Sequence, residues 1–241
     1  MVEMQMLAKE DHPFRNSVYF SKKNLRLLQT HMILKSFPKG AFMFREGQSA
    51  NHFYYLIQGA VKVTKSGGNG KELLIYCFRS GDFFGEKSVG KVKTMSFDAK
   101  CVQPSVIGIM DQKNIQRLMK DEPQLAIQFM NWMGYMQRFT QIKLRDLLFY
   151  GKMGALASTI IRMVNTFGIE DGDRIRLSVH FTNSELASMI GATRETVNRM
   201  LHQLKKDGLI DYQASEIIVY DIEGLKDICQ CEKCPIEVCR L

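Results

Sequence analysis

The chain has 241 residues, enough for one large domain or two modest ones, and its 45% of apolar residues can build a core without disulfides. No apolar run reaches the length of a membrane span and the N-terminal sequence lacks a signal-peptide pattern, so we expect a cytoplasmic protein with reduced thiols and no membrane partner. The formal net charge of +8 favours a polyanionic partner, although a solvated basic surface would give the same value.

The first half of the chain predicts one helix followed by many short strands. Residues 21–33, SKKNLRLLQTHMI, begin with an N-cap serine and have helical spacing. From residue 40 to about residue 110, runs rich in β-branched and aromatic residues, such as HFYYLIQG and SVIGIM, alternate with glycine turns. We therefore predict an antiparallel roll or sandwich here, and an α+β fold class for the whole chain.

After these strands the apolar period becomes helical. One stripe with 4-3-4-3 spacing comprises Leu125, Phe129, Trp132, Met136 and Phe139. This a/d pattern predicts a helix of about 25 residues that pairs with a second copy of the chain. The alternative is a helix that packs on its own β domain. The run ALASTIIRMVNTFG then predicts a further helix that ends at Gly168.

Residues 181–210, FTNSELASMIGATRETVNRMLHQLKKDGLI, contain the parts of a helix-turn-helix. Thr182 and Glu185 have capping-box spacing, and Gly191 stands where a tight turn between two helices needs a positive φ. The second helix presents polar residues from its first two turns, the part that a recognition helix inserts into the major groove: Arg194, Glu195, Asn198 and Arg199. Residues 208–221 add two short strands around a turn, which form a wing. The alternative is an ordinary pair of helices with exposed charges.

The chemistry of these four side chains suits double-stranded DNA. Arginine can bond guanine O6 and N7, and glutamate can accept a hydrogen bond from cytosine N4. Residues 151–241 carry 11 Lys and Arg against 13 acidic residues. A DNA-reading helix-turn-helix in this part of the chain, called the reader below, would therefore rely on a few positioned cations. The basic excess of residues 1–150 would be available to flanking phosphates.

The motif GATRETVNRML, followed by GLI and IIVYD, resembles the winged helix-turn-helix of the Crp–Fnr regulator family, and GDFFGE resembles that family's cyclic-nucleotide-type β-roll. The resemblance covers nearly the whole chain in the order roll, long helix, reader. It implies a homodimer that binds palindromic DNA and works with RNA polymerase. In that family, the pattern of Arg194, Glu195 and Arg199 reads TGTGA-type half-sites, and Asn198 takes a position where the Fnr branch often has serine.

These features together predict four segments. They are a β-roll of the sensor type (1–120), a dimerisation helix (121–150), a winged helix-turn-helix (151–223) and a cysteine-rich tail (224–241), whose expected cluster follows from the cysteines described below.

The roll resembles the nucleotide-binding members only in part. In those members a Phe-Gly-Glu segment is followed by an Arg-Ser or Arg-Thr pair that clamps the cyclic phosphate. Phe84, Gly85 and Glu86 are present here, but residues 95–98 offer no arginine, and Asp98 would repel a phosphate. Three nearby lysines lack the bidentate fork of a guanidinium: Lys91, Lys93 and Lys100. We therefore expect that no cyclic nucleotide binds.

Four of the six cysteines lie in residues 229–239, CQCEKCPIEVC. Cys231, Cys234 and Cys239 have C-x₂-C-x₄-C spacing, and Cys229 precedes them. Thiolates this close suit an iron–sulfur cluster or zinc. A four-thiolate zinc site usually draws on two separate pairs of ligands, so a single loop favours a cluster without excluding zinc.

The segments KLRDLLFYGKMGAL and CEKCPIEVC resemble the Bacillus-type Fnr regulators, which carry their cysteines at the C terminus. This resemblance implies a [4Fe–4S] cluster bound by three cysteines and one aspartate: Cys231, Cys234, Cys239 and Asp146. Cys229 is an alternative fourth ligand. From the residues alone, Asp146 could instead pair at the surface with Lys143, Arg145 or Lys152.

The resemblance implies an oxygen-responsive regulator that binds DNA when the cluster is loaded and controls anaerobic genes. Its main rival is a metabolite-gated Crp-type regulator with a structural zinc tail. A redox enzyme is a third class, because it would also use clustered cysteines, but the sequence offers no substrate pocket or cofactor fingerprint for it.

Overall fold

The structure is a computed structural model that describes residues 15–68, 72–86, 93–213 and 215–241. The described chain divides into two compact units. The roll unit comprises residues 15–65 and 75–136, and the C-terminal unit comprises residues 66–68, 72–74 and 137–241. Strands dominate the roll unit and helices dominate the C-terminal unit, so the predicted α+β class is confirmed.

Helix α1, Lys22–Thr30, opens the roll unit after a short 3₁₀ helix. The side chain of Ser21 accepts a hydrogen bond from the backbone N–H of Asn24, as an N-cap does. The predicted extent of this helix, residues 21–33, is wrong at its end. His31 N–H bonds to carbonyls that close the last turn, and Ile33–Phe37 forms strand β1, which pairs along its whole length with residues 105–109.

Two four-stranded sheets form the roll, in the orders β1-β8-β3-β6 and β2-β7-β4-β5. The remaining strands are β2 (Phe42–Phe44), β3 (His52–Gln58), β4 (Ala60–Ser66), β5 (Glu72–Arg79), β6 (Phe83–Phe84), β7 (Asp98–Cys101) and β8 (Ser105–Asp111). One core lies between strands of both sheets, and the ring of Phe84 stacks there on Tyr54 and Phe78. This arrangement confirms the predicted antiparallel roll.

Helices α2, Gln112–Asp121, and α3, Pro123–Phe149, follow the roll. Leu125, Phe129 and Trp132 of α3 are buried with Phe53 and other aromatic residues of the roll in a second core. The prediction that this stripe faces a second copy of the chain is therefore wrong. The aromatic residues on this face of the roll are stabilised by burial away from water, and α3, which follows the roll in the chain, buries them.

A different side of α3 is left apolar and exposed. Its residues are Ile127, Met130, Met133, Leu144 and Leu148, with 63% of Met130 and 69% of Leu148 accessible to solvent. A helix with apolar residues on more than one side needs more than one packing partner.

The C-terminal unit contains α4 (Gly151–Phe167), α5 (Asn183–Ile190), α6 (Arg194–Lys206) and α7 (Ile222–Ile228). Its sheet has the order β11-β12-β10-β9, with β9 (Gly168–Asp171), β10 (Arg174–Leu177), β11 (Ile210–Gln213) and β12 (Glu216–Val219). The predicted wing corresponds to β11 and β12, and the sequence analysis missed the hairpin of β9 and β10. None of the described helices combines the length and apolar character that crossing a bilayer requires.

Gly168 ends α4 as predicted, but for a different reason. Its backbone is not left-handed, with φ of −65° and ψ of 136°, so it begins β9 directly. A Cβ atom at this position would lie 2.5 Å from the carbonyl oxygen of Val164. Glycine is required here because the helix and the strand approach too closely for any side chain.

Candidate nucleic-acid interface and thiol site

The helix-turn-helix is built as its sequence predicts. The Thr182 hydroxyl accepts a hydrogen bond from Glu185 N–H at 3.2 Å, and the Glu185 carboxylate accepts one from Thr182 N–H at 2.7 Å, which confirms the capping box. Gly191 has a φ of 59° and ends α5 in the left-handed conformation that the tight turn needs. Thr193 then caps α6 by accepting from Thr196 N–H.

Helix α6 has one buried side and one exposed side. The buried residues that fix it on the unit are Val197, Met200, Leu201 and Leu204. The four residues predicted to read DNA are exposed: Arg194, Glu195, Asn198 and Arg199. They lie together within the first two turns, at the end of α6 that follows the turn glycine.

Two of these exposed side chains are oriented by local contacts. Hydrogen bonds from its own backbone N–H and from the Thr193 side chain lower the pKa of Glu195, which keeps it an anionic acceptor. The side-chain oxygen of Asn198 accepts from Asn183 Nδ2 at 3.2 Å. Neither Arg194 nor Arg199 forms an ion pair with any carboxylate in the described part of the chain, so both guanidinium groups are available to DNA.

The roll contains a cavity of about 310 Å³ lined mainly by aromatic side chains. Among the described lining residues there is no lysine or arginine, and the one carboxylate is Glu86. That carboxylate accepts hydrogen bonds from Ser96 N–H at 2.9 and 3.1 Å. The described lining residues therefore offer a cyclic phosphate no cation. Lys91, one of the three nearby lysines, lies outside the described residues.

The cysteine tail begins where α7 ends. Cys231 N–H bonds to Lys226 O at 2.9 Å and Gln230 N–H bonds to Asp227 O at 3.2 Å, the two bonds of a Schellman motif. Gln230 has a φ of 43° at the position that usually holds glycine. Cys229, just before this turn, is buried, and Cys231, just after it, is half-buried.

Both ends of the tail are fastened to helices of the same unit. Arg145 Nη2 donates to the carbonyls of Cys229 and Gln230 at 2.9 and 3.3 Å, and Arg145 Nη1 pairs with Glu232 at 2.8 Å. At the other end, Asn165 Nδ2 donates to Cys239 O at 2.7 Å. The segment between these anchors carries Cys231 and the half-buried Cys234, while Cys239 is buried.

Asp146 is buried, with only 1% of its surface exposed. Its Oδ2 atom accepts hydrogen bonds from Ser158 Oγ and Arg162 Nη2, both at 2.5 Å. The alternative of a surface ion pair is wrong in its location, because this side of α3 faces α4 rather than solvent, but one of its partners is confirmed: Arg145 Nη2 lies 3.2 Å from Asp146 Oδ1. Arg162 was not predicted as a partner of Asp146. Its signal was the i, i+4 spacing of Ser158 and Arg162 within a helix predicted to be apolar.

Three thiols of the tail have a raised pKa: Cys229, Cys234 and Cys239. Burial raises the pKa of Cys229 to about 12, and the charges of Cys231 and Asp146 act in the same direction. Burial is also the largest cause that raises the pKa of Cys234 and of Cys239. A cation that binds these sulfurs must displace their protons.

The donor set suits an iron–sulfur cluster in chemistry. The tail offers four thiols and α3 offers one carboxylate, whose buried Oδ1 atom accepts no hydrogen bond. As they stand, no three His, Cys, Asp or Glu side chains of the described residues converge closely enough to hold one metal ion. The ligand assignment of Cys231, Cys234, Cys239 and Asp146, with Cys229 as the alternative, therefore stays a prediction.

Comparisons with known proteins match both parts of the chain. Two family models fit it, a cyclic nucleotide-binding domain over residues 34–122 and a Crp-like helix-turn-helix domain over residues 154–228. The chain is 33% identical to the anaerobic regulatory protein of Bacillus subtilis (strain 168), across 89% of this chain and 91% of that one. It is 28% identical to the CRP-like cAMP-activated global transcriptional regulator of Mycobacterium tuberculosis (strain ATCC 25618 / H37Rv), across 78% and 84%.

Solved structures share the fold. A CooA mutant from Carboxydothermus hydrogenoformans matches with a TM-score of 0.73 and 20% identity, across 88% of this chain and 94% of that one. FixK2 from Bradyrhizobium japonicum matches with a TM-score of 0.67 and 18% identity, across 82% and 96%. At these identities the likeness concerns the fold alone.

Proposed function

Because the chain belongs to the Crp–Fnr family of transcription regulators, we propose that it is an oxygen-responsive dimeric regulator of anaerobic genes. It binds TGTGA-type palindromes when loaded with a [4Fe–4S] cluster, and RNA polymerase is its partner at promoters. Membership of a family of regulators means that the chain is not an enzyme, so the redox-enzyme alternative is excluded.

Sequence-specific DNA binding is assigned to the first two turns of α6. Arg194 and Arg199 reach guanine edges, and Glu195 accepts from cytosine. The support is that these side chains are exposed together on a helix fixed by a buried opposite face. Asn198, oriented by Asn183, contacts the base or sugar between them.

Dimerisation is assigned to the exposed side of α3. Regulators of this family are typically dimeric, and a palindrome requires two readers. The support is the exposed apolar residues Ile127, Met130, Leu144 and Leu148, whose positions fit a 3-4 repeat along the helix. Pairing through this side would bury them without disturbing the residues that cover the chain's own roll.

Oxygen sensing is assigned to the tail, with the cluster held by Cys231, Cys234, Cys239 and Asp146. When bound, the cluster supplies an oxygen-labile metal group. The observation that carries this assignment is the buried Asp146 Oδ1 without a hydrogen bond, in the same unit as a doubly anchored tail of four thiols. Arg145 Nη2 lies 3.2 Å from this oxygen but donates its hydrogen bonds elsewhere, and a buried acceptor without a hydrogen bond is unfavourable unless something else uses it.

Helix α4 contacts both the tail and the reader, and so connects the two. Its Lys152 Nζ donates to Ile190 O at the end of α5, at 2.8 Å. Further along the same helix, Arg162 holds Asp146 and Asn165 holds Cys239 O. A change at the tail therefore acts on the helix that supports the first helix of the reader.

The experiment begins with protein purified without oxygen. We expect iron and sulfide in equal amounts, thiolate-to-iron absorption in the visible range, and binding to a TGTGA-N₆-TCACA duplex that is lost on exposure to air. Cys234→Ala should lose the iron, whereas Cys229→Ala should keep it. Loss of iron in Cys229→Ala together with full iron content in Asp146→Ala would assign Cys229 as the fourth ligand instead.

The second candidate is a metabolite-gated Crp-type regulator with a structural zinc tail. The cavity of about 310 Å³ in the roll favours it, since this volume is suited to a small molecule. Zinc without sulfide in the purified protein, and DNA binding that ignores oxygen, would establish this candidate and exclude the first.

A further inference from the structure

The side chains around Asp146 divide its two carboxylate oxygens between different roles. Oδ2 accepts from Ser158 Oγ and from Arg162 Nη2, each at 2.5 Å. Ser158 and Arg162 are themselves buried, with 3% of Arg162 exposed. Arg162 and, on the other oxygen, Arg145 balance the charge of Asp146, and two short hydrogen bonds to a single oxygen fix the orientation of its carboxylate.

Oδ1 receives no hydrogen bond although a cation lies close. Arg145 Nη2 is 3.2 Å away. Both of its N–H groups serve other acceptors, because Nη2 donates to the carbonyls of Cys229 and Gln230. Oδ1 therefore remains buried and without a hydrogen bond beside the anchored start of the tail.

We infer that Ser158 and Arg162 are positioning residues that hold Asp146 by Oδ2 and keep Oδ1 available as the single oxygen ligand of the cluster. The inference rests on the proposed function, and it adds two residues of α4 to the site. Outer-shell groups of this kind orient metal-binding side chains and tune their affinity. Without them the carboxylate could rotate, or offer both oxygens in place of one.

The rival account is purely structural. In that account the buried pair of Asp146 and Arg162 ties α3 to α4, and the ion pair with Arg145 is enough for Oδ1. Both accounts predict a less stable fold when Arg162 is replaced, so stability cannot separate them. They differ in one respect, since a positioning residue acts only through the side chain at position 146.

A double-mutant cycle with Asp146→Cys tests this difference. Ser158→Ala and Arg162→Gln are each placed in the natural chain and in Asp146→Cys, and the iron retained against a chelator is measured without oxygen. In the natural chain, each should weaken iron retention by about 10–100-fold, the range of outer-shell substitutions at metal sites. In the Asp146→Cys chain, where the fourth ligand is a thiolate that needs no carboxylate partner, neither should change iron retention.

Thr159→Val is the matched control. Thr159 neighbours Ser158 on the same helix and is also buried, but its hydroxyl donates to the backbone carbonyl of Ala155. Its replacement should leave iron retention unchanged in both chains. The electron paramagnetic resonance spectrum of the reduced cluster is a second readout, and it should change in Ser158→Ala and not in Thr159→Val.

The outcomes separate the two levels of the proposal. Equal weakening in both chains, or an unchanged spectrum and iron content in a folded Ser158→Ala, overturns the positioning role and leaves the proposed function intact. If Asp146→Cys takes up no cluster or Arg162→Gln does not fold, the spectrum of Ser158→Ala decides alone. A natural chain that takes up no iron and sulfide overturns the proposed function, and the inference with it.

Discussion

At the residue scale, the reader depends on a small number of side chains because its unit lacks a basic surface. Residues 151–241 carry 11 Lys and Arg against 13 acidic residues. Non-specific attraction to phosphates is therefore weak there, and under the proposed function base contacts from Arg194 and Arg199 would supply a large part of the selectivity. The free guanidinium groups and the oriented carboxylate of Glu195 are consistent with that task.

Replacing one of these arginines should reduce specific binding more than non-specific binding. We expect Arg194→Ala or Arg199→Ala to cost about 1–3 kcal/mol on the palindrome and to relax the choice at one guanine. Fluorescence anisotropy at one fixed salt concentration, on palindromic and on random duplexes, gives the two affinities. Lys206→Ala, an exposed cation in the last turn of α6, is the control. Equal losses on both duplexes would show that the arginines contact phosphates only.

Asp146 is also part of the core, which complicates any substitution there. We expect Asp146→Ala to lower the free energy of unfolding of the iron-free protein by about 3–5 kcal/mol, because Arg162 is left buried without its partner. Asp146→Ala combined with Arg162→Met should recover much of that loss. Urea unfolding followed by circular dichroism measures both values.

The control for this prediction is a surface pair in the same unit. Asp171 and Arg174 pair at 3.0 Å but are about half exposed, so Asp171→Ala should cost about 1 kcal/mol or less. If Asp146→Ala costs no more than Asp171→Ala, the buried pair contributes nothing to stability and any loss of iron in Asp146→Ala belongs to the ligand alone.

Local residue patterns predicted what local physics determines. Thr182, Glu185 and Gly191 lie where their spacing placed them, because capping and a left-handed turn depend on near neighbours in the chain. The partner of Asp146 was missed for the opposite reason. Arg162 lies 16 residues away on another helix, and only the packing of α4 against α3 brings the two side chains together.

At the element scale, α3 shows why an apolar stripe identifies a buried face but not its partner. Leu125, Phe129 and Trp132 were predicted to be buried and are buried, yet on the roll of the same chain. Periodicity is equally satisfied by either surface. The predicted end of α1 was wrong for a similar reason. The apolar run through Ile33 continues a helical pattern, but long-range pairing with β8 makes the segment from Ile33 a strand.

The two sides of α3 should respond differently to substitution. We expect Leu148→Glu to weaken the dimer and its binding to DNA while changing the free energy of unfolding by only about 0.5 kcal/mol, because Leu148 is exposed in the single chain. Trp132→Ala should instead cost about 3–5 kcal/mol of stability, because Trp132 is buried. Analytical ultracentrifugation and urea unfolding give the two quantities.

Ile169→Glu is the control for the dimer measurement, since Ile169 is an exposed apolar residue of β9 outside α3. Dimers of Leu148→Glu as stable as those of Ile169→Glu would contradict the assignment of the dimer contact to this side of α3.

At the scale of the whole molecule, the order roll, long helix and reader was predictable because each part has its own local signature. The division into units was not, since the boundary falls inside one continuous helix, between residues 136 and 137. No break in the helical pattern marks that position. No local pattern decides which signal controls DNA binding either, because the chain has two candidate sensing sites. One is the cavity of the roll and the other is the group of thiols in the tail.

We expect that the roll binds no cyclic nucleotide and that cyclic nucleotides do not alter DNA binding. The described residues that line the cavity of the roll include no lysine or arginine to bind a cyclic phosphate, so desolvation of the phosphate of cyclic AMP or GMP there would be unfavourable. A ligand present at 100 times its Kd stabilises the folded state by about 2.7 kcal/mol, which is easily seen as a rise in Tm. We expect neither nucleotide at millimolar concentration to change the Tm or the affinity for DNA. The cAMP-activated relative from Mycobacterium tuberculosis is the positive control. If calorimetry showed micromolar binding of either nucleotide together with an altered affinity for DNA, the roll would be the domain that controls DNA binding, and the tail would have a structural role.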